Sequence, residues 1–89
     1  MECTINSVRV LLIEIDIVFD FNGEIIQVEF PVSTPTREQA LEEIASNAWL
    51  HRSARLKDAG IILEEEEISR LIEECRQACA GLDLGRIGL

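Results

Sequence analysis

The sequence predicts an α+β domain of ββαα order, an antiparallel β-hairpin with two helices packed on one of its faces. Three observations predict it. Leu11 to Val32 alternates apolar and polar residues on both sides of Asn22-Gly23. Leu41, Ile44, Ala45 and Ala48 follow at helical spacing. Ile68, Leu71, Ile72, Cys75 and Cys79 then form a second helical stripe. The 89 residues read as a single domain with a hairpin over 8–32, helices over 36–59 and 64–80, and a tail over 81–89.

The hairpin register follows from its turn. Asn-Gly favours a type I′ turn, because both central residues need positive φ. A two-residue loop makes Phe21 face Glu24. Stepping back pairs Phe19 with Ile26, Ile17 with Val28, Ile15 with Phe30 and Ile13 with Val32. Every one of these pairs is apolar on both sides, and a one-residue slip would set apolar against polar. The same register places Asp16 opposite Glu29, near Glu14 and Asp20, with Leu12, Val18 and Ile25 on that face. Like charges opposed on a sheet face cost a few tenths of a kcal/mol.

Residues 2–10 admit more than one reading. Val8 and Val10 continue the strand on the even face, whereas the core residues that follow are odd. A bulge between Val10 and Leu12 would switch faces. Alternatively the segment adds a strand, or overhangs its partner and offers an edge to a second copy.

Strand two ends at Pro31-Val32. Thr36 is a helix N-cap with Gln39 completing a capping box; Thr34 with Pro35 is the competing start. The first helix runs to Leu50 and on towards Ala59, with a kink expected between His51 and Ser53 and Gly60 as the stop. Leu63 and Ile68 are placed to staple the second helix if Glu64 is its N-cap. The run Glu64 to Glu67 then complements the helix dipole. Arg70 has Glu66 and Glu74 four residues away on either side. Gly81 ends this helix.

The net charge is −9, and it is segregated. Residues 1–35 hold six acids against one base, residues 36–60 four of each, and residues 61–89 seven acids against three bases. Direct nucleic-acid binding is disfavoured, since it depends on Lys and Arg neutralising phosphates. Anionic membrane surfaces are disfavoured likewise. No apolar run approaches the ~20 residues of a membrane span. The start, Met1-Glu2-Cys3-Thr4, lacks the basic region of a signal peptide. Three cysteines, an odd count, suit reduced thiols in a cytoplasmic protein.

Catalytic and metal chemistry find little footing. Cys75 and Cys79 share a helix face, but a structural zinc site needs four ligands. His51 and Cys3 show no ligand spacing, so both helix thiols are expected in the core. His51 stands in the basic stretch with Arg52, Arg55 and Lys57, with no nucleophile motif beside it. Trp49 lies off the stripe and is expected to complete the core against the second helix. No metal and no cofactor is expected, and no enzyme activity.

The functional expectation is a small acidic protein-binding module. Glu14, Asp16, Asp20 and Glu29 would make the contact, with Val18 and Ile25 adding desolvated area. Its concrete form is an inhibitor that mimics nucleic acid on a basic partner protein. In size and charge alone it is comparable to small phage-encoded antagonists, anti-CRISPR proteins among them. The alternative is a homodimeric structural or accessory subunit. The plainer reading of the acidic face is a solvated surface.

Overall fold

The computed structural model describes residues 2–33 and 36–84. Three antiparallel strands, β1 (Cys3–Val10), β2 (Glu14–Phe21) and β3 (Glu24–Pro31), are followed by helices α1 (Arg37–Asp58) and α2 (Glu65–Ala80). The strand order is β1-β2-β3. The fold is α+β, with the hairpin extended to three strands by the N-terminal segment.

The β2–β3 register is the one the turn dictates. Phe21 faces Glu24, Phe19 faces Ile26, Ile17 faces Val28 and Ile15 faces Phe30. Asn22 and Gly23 have φ of 52° and 86°, as a type I′ turn requires. The Asp20 carboxylate reinforces the turn by accepting from the Gly23 amide at 2.9 Å.

The departure is at Leu11 to Ile13. Their apolar character, leading into the alternation that follows, suggests continuous strand, yet the chain reverses there. The Leu11 amide donates to the Glu14 carbonyl at 2.8 Å. β2 then runs back along β1, pairing Val10 with Ile15 and Cys3 with Phe21. Ile13 consequently leaves the core and is 75% exposed, while Leu12 is 93% exposed. The Ile13 carbonyl still accepts from the Val32 amide at 3.1 Å, so the expected Ile13/Val32 pairing survives in the backbone alone.

The face switch does involve a register shift, but between Ile5 and Ser7, not between Val10 and Leu12. Asn6 is the additional residue. Cys3 and Ile5 before it, and Val8 and Val10 after it, thereby align with the inward residues of β2. This is why odd and even apolar positions in one strand serve one face.

Helix α1 begins as its capping box predicts. Gln39 N–H donates to Thr36 Oγ1 at 3.3 Å, and Thr36 N–H donates to Gln39 Oε1 at 3.0 Å. Pro35 and Thr34, the competing start, lie outside the described residues. The helix continues unbroken through His51 to Ser53, where a kink was expected. It closes in a Schellman motif: Ile61 N–H donates to Leu56 O and Gly60 N–H to Lys57 O, both at 3.0 Å, with Gly60 at φ 75°. Helix α2 has Glu64 as its N-cap, without a side-chain cap, and ends at Gly81. Arg70 pairs with Glu74 at 3.9 Å.

The core lies between the inner sheet face and the two helices. Ile15, Ile17, Phe19, Ile44 and Ala48 are fully buried. Alanines at 40, 45 and 48 give α1 a thin buried face, and small residues let a helix approach its neighbour closely. Trp49 is half-buried against that core, and shares a small recess with Ile72 of α2. Leu82 and Leu84 are also buried, so the first part of the tail packs inward. Arg37 fastens it by donating to the Leu82 carbonyl at 2.9 Å. The expectations for residues 85–89 lie outside the described residues.

Candidate functional site

Alternation sends the even residues of β2 away from the helices. Glu14, Asp16, Val18 and Asp20 therefore share the outer face with Ile25 and Glu29 of β3, across from Asp20 and Asp16 respectively. All six expected site residues lie on this one face. They do not form one cluster.

Glu14, Asp16 and Glu29 converge. One carboxylate oxygen from each lies within 4.8 Å of the other two. Asp16 is half-buried, and its Oδ1 is closed off from solvent with no hydrogen-bond partner among the described residues. Glu29 accepts from Gln27 Nε2 at 3.2 Å. The Asp16 charge, followed by desolvation and then the Glu29 charge and hydrogen bond, pushes the Glu14 carboxyl above its ordinary value. Three carboxylates so placed can receive an ammonium or guanidinium group. They also have the hard oxygen character that a divalent cation takes. Neither possibility depends on a pocket.

Asp20 stands apart. It is four residues along β2 from Asp16, about 13 Å at strand rise, and its carboxylate is engaged by the Gly23 amide. Val18 lies between them, opposite Gln27, and Ile25 is 61% exposed. The outer face is thus an acidic end at Glu14, Asp16 and Glu29, with an apolar stretch leading towards the turn.

β1 adds residues that a two-stranded reading leaves out. Thr4 lies opposite Asp20, Ser7 opposite Val18 and Arg9 opposite Asp16. Arg9, Asp16 and Glu29 form one cross-strand row. The signal in the sequence was the lone base in a segment with six acids. Its position could not be placed without the turn at Leu11 to Ile13.

The other candidates resolve into structural roles. Arg55 Nε pairs with Glu24 Oε1 at 2.9 Å and His51 Nδ1 lies 3.9 Å from Glu24 Oε2, so the basic stretch of α1 partly serves the hairpin end. These groups are largely exposed, which limits such pairs to about 0–1 kcal/mol. Cys75 and Cys79 are buried as expected. The neighbour of Cys79, however, is Cys3, with the two sulfurs 3.5 Å apart. Among the described residues, the side chains that converge as potential metal ligands are the three acids and not the histidine and cysteines. No helix among the described residues is long and apolar enough to cross a membrane. No protein-family model, curated protein or solved structure matches the chain.

Proposed function

We propose that this chain is a non-enzymatic binding module whose outer sheet face docks on a basic surface of a partner protein. The surface in question is of the kind that otherwise holds nucleic-acid phosphates, so occupancy would inhibit the partner. The observation that carries this reading is the convergence of Glu14, Asp16 and Glu29 on a face the helices do not use. Such a cluster opposes folding within the isolated chain, and a partner's cations would relieve the repulsion. Val18 and Ile25 supply apolar area beside it. Asp20 has a smaller part, because it caps the turn.

The test is a pull-down from host extract with the parent chain and with an Asp16→Lys/Glu29→Lys double variant. The expected result is a basic protein held by the parent only and released by competing duplex DNA. Equal capture by the variant, or capture indifferent to DNA, overturns the reading.

One observation favours a second reading, a self-associating or accessory subunit. Val10, Leu12, Ile13 and Val32 are exposed apolar residues clustered in the pairing scheme at one end of the sheet. A monomeric sedimentation mass at high protein concentration would count against association between copies.

A further inference from the structure

Three thiols sit on two elements that meet only in the folded chain. Cys3 opens β1, and Cys75 and Cys79 lie one turn apart on α2. Cys3 Sγ is 3.5 Å from Cys79 Sγ, although the residues are 76 positions apart in sequence. Cys79 is buried, whereas Cys3 is only partly so. We infer that Cys3 and Cys79 form a reversible intramolecular disulfide, with Cys3 as the thiol that meets the oxidant and Cys79 as the one that resolves it.

The two sulfurs differ in acidity in the sense this division needs. The hydrogen bond with Cys79 lowers the Cys3 pKa, against opposing effects of burial and the Asp20 charge. The same bond, together with burial, raises Cys79. Thiolate is the reactive form, and the lowering at Cys3 agrees with the partial exposure that makes Cys3 the thiol an oxidant reaches first. Burial also raises Cys75, with the Arg52 guanidinium opposing it.

The oxidant is a small peroxide, here hydrogen peroxide. The Cys3 thiolate attacks one peroxide oxygen; the S–O bond forms, the O–O bond breaks, and hydroxide leaves and takes up a proton. The Cys79 sulfur then attacks the Cys3 sulfur. The S–S bond forms, the S–O bond breaks, and the hydroxyl departs with the Cys79 proton as water. The two thiols give up two electrons, and the peroxide becomes two waters. A small thiol reductant reverses the link. The sulfurs need to close from 3.5 Å to bonding distance of about 2 Å, a movement within reach of side-chain rotation at a strand end.

The bond would tie β1 to α2 and enclose nearly the whole chain. A loop of that length removes much of the freedom of the unfolded state.

The test treats the folded full chain with stoichiometric hydrogen peroxide, then unfolds it in denaturant with N-ethylmaleimide so that every remaining thiol is blocked, and maps the linked peptides by mass spectrometry. The expected result is one blockable thiol, Cys75, in place of three, with Cys3 joined to Cys79 in a monomer. Cys75→Ala should still form the link, and Cys3→Ser should not. The melting temperature should rise by roughly 10–20 °C on oxidation and return with dithiothreitol. Three blockable thiols after oxidation, a Cys75–Cys79 link, or a bond between chains overturns the inference. The mapping on the unmodified chain decides the matter even if a variant fails to fold.

Discussion

The Asn22 side-chain oxygen accepts a hydrogen bond from the Glu2 backbone amide at 3.0 Å, and the Asn22 backbone amide donates to the Glu2 carbonyl at 2.9 Å. One residue therefore both turns the β2–β3 hairpin and holds the start of β1. The positive φ of 52° explains why asparagine suits the turn. The Glu2 contact explains why asparagine is used there in preference to a second glycine.

Asn22→Gly separates the two roles. Glycine keeps the turn conformation but loses the side-chain acceptor. The expected cost is about 0.5 kcal/mol, the low end for an exposed hydrogen bond. It should appear with faster hydrogen exchange of the Glu2 amide. Asn22→Ala should cost about 1–2 kcal/mol more, because alanine resists positive φ. Denaturant melts of both variants check the order; no loss in Asn22→Gly would show that the tether contributes nothing, and equal losses that the left-handed backbone at this position adds no strain.

Glu14 gives a pH-dependent prediction with a definite sign. Its carboxyl is raised mainly by Asp16, so the folded chain holds that proton more tightly than the unfolded chain. Its contribution favours folding below the ordinary glutamate value near 4.5 and is lost as pH rises through the raised value. Glu14→Gln removes the charge that Glu14 gains above that value. The variant should melt above the parent at pH 7, and the difference should vanish below pH 4.5. Salt should narrow the gap at pH 7 by screening. A variant that melts lower at pH 7 would show that Glu14 is not under net repulsion.

Most of the architecture was legible because local rules and tertiary packing agree. Asn22-Gly23 determined the β2–β3 register, and Thr36 with Gln39 placed the start of α1. Leu11 to Ile13 were not legible as a turn, since they include none of the residues that mark turns by their own backbone preference. Apolar residues in alternation read as strand whether or not the chain reverses. That one omission hid β1, and with it Arg9 beside Asp16 and Cys3 beside Cys79. The first is a cross-strand pairing that depends on the reversal at Leu11 to Ile13, the second a contact between residues 76 positions apart, and periodicity supplies neither. The outer face was legible from alternation, and so was the distance of Asp20 along the strand; its engagement by the Gly23 amide was not.

Ile13 and Ile15 make the turn measurable. The alternating pattern treats them as equivalent core positions, yet Ile13 is 75% exposed and Ile15 fully buried. Ile15→Ala should cost about 2–5 kcal/mol through lost burial and the cavity it leaves. Ile13→Ala should stay within about 0.5 kcal/mol, as for an exposed position. Urea titrations of the two variants supply the comparison. Similar losses would mean that β2 extends through Ile13 and that the chain does not reverse at Leu11.

The two helix-ending glycines should respond to alanine with opposite sign. Gly60 sits at φ 75° within the Schellman motif, where an L side chain is strained even though a Cβ would meet nothing within 4 Å. Gly60→Ala should therefore cost about 1–2 kcal/mol. Gly81 ends α2 at φ −96°, a conformation open to any residue, and a Cβ there also has room. Alanine reduces the freedom of the unfolded chain without straining the folded one. Gly81→Ala should stabilise the protein by about 0.4–1 kcal/mol. Paired thermal melts test this directly. A loss at both sites would mean that α2 needs glycine to end, and a gain at both that the left-handed turn after α1 is not kept in solution.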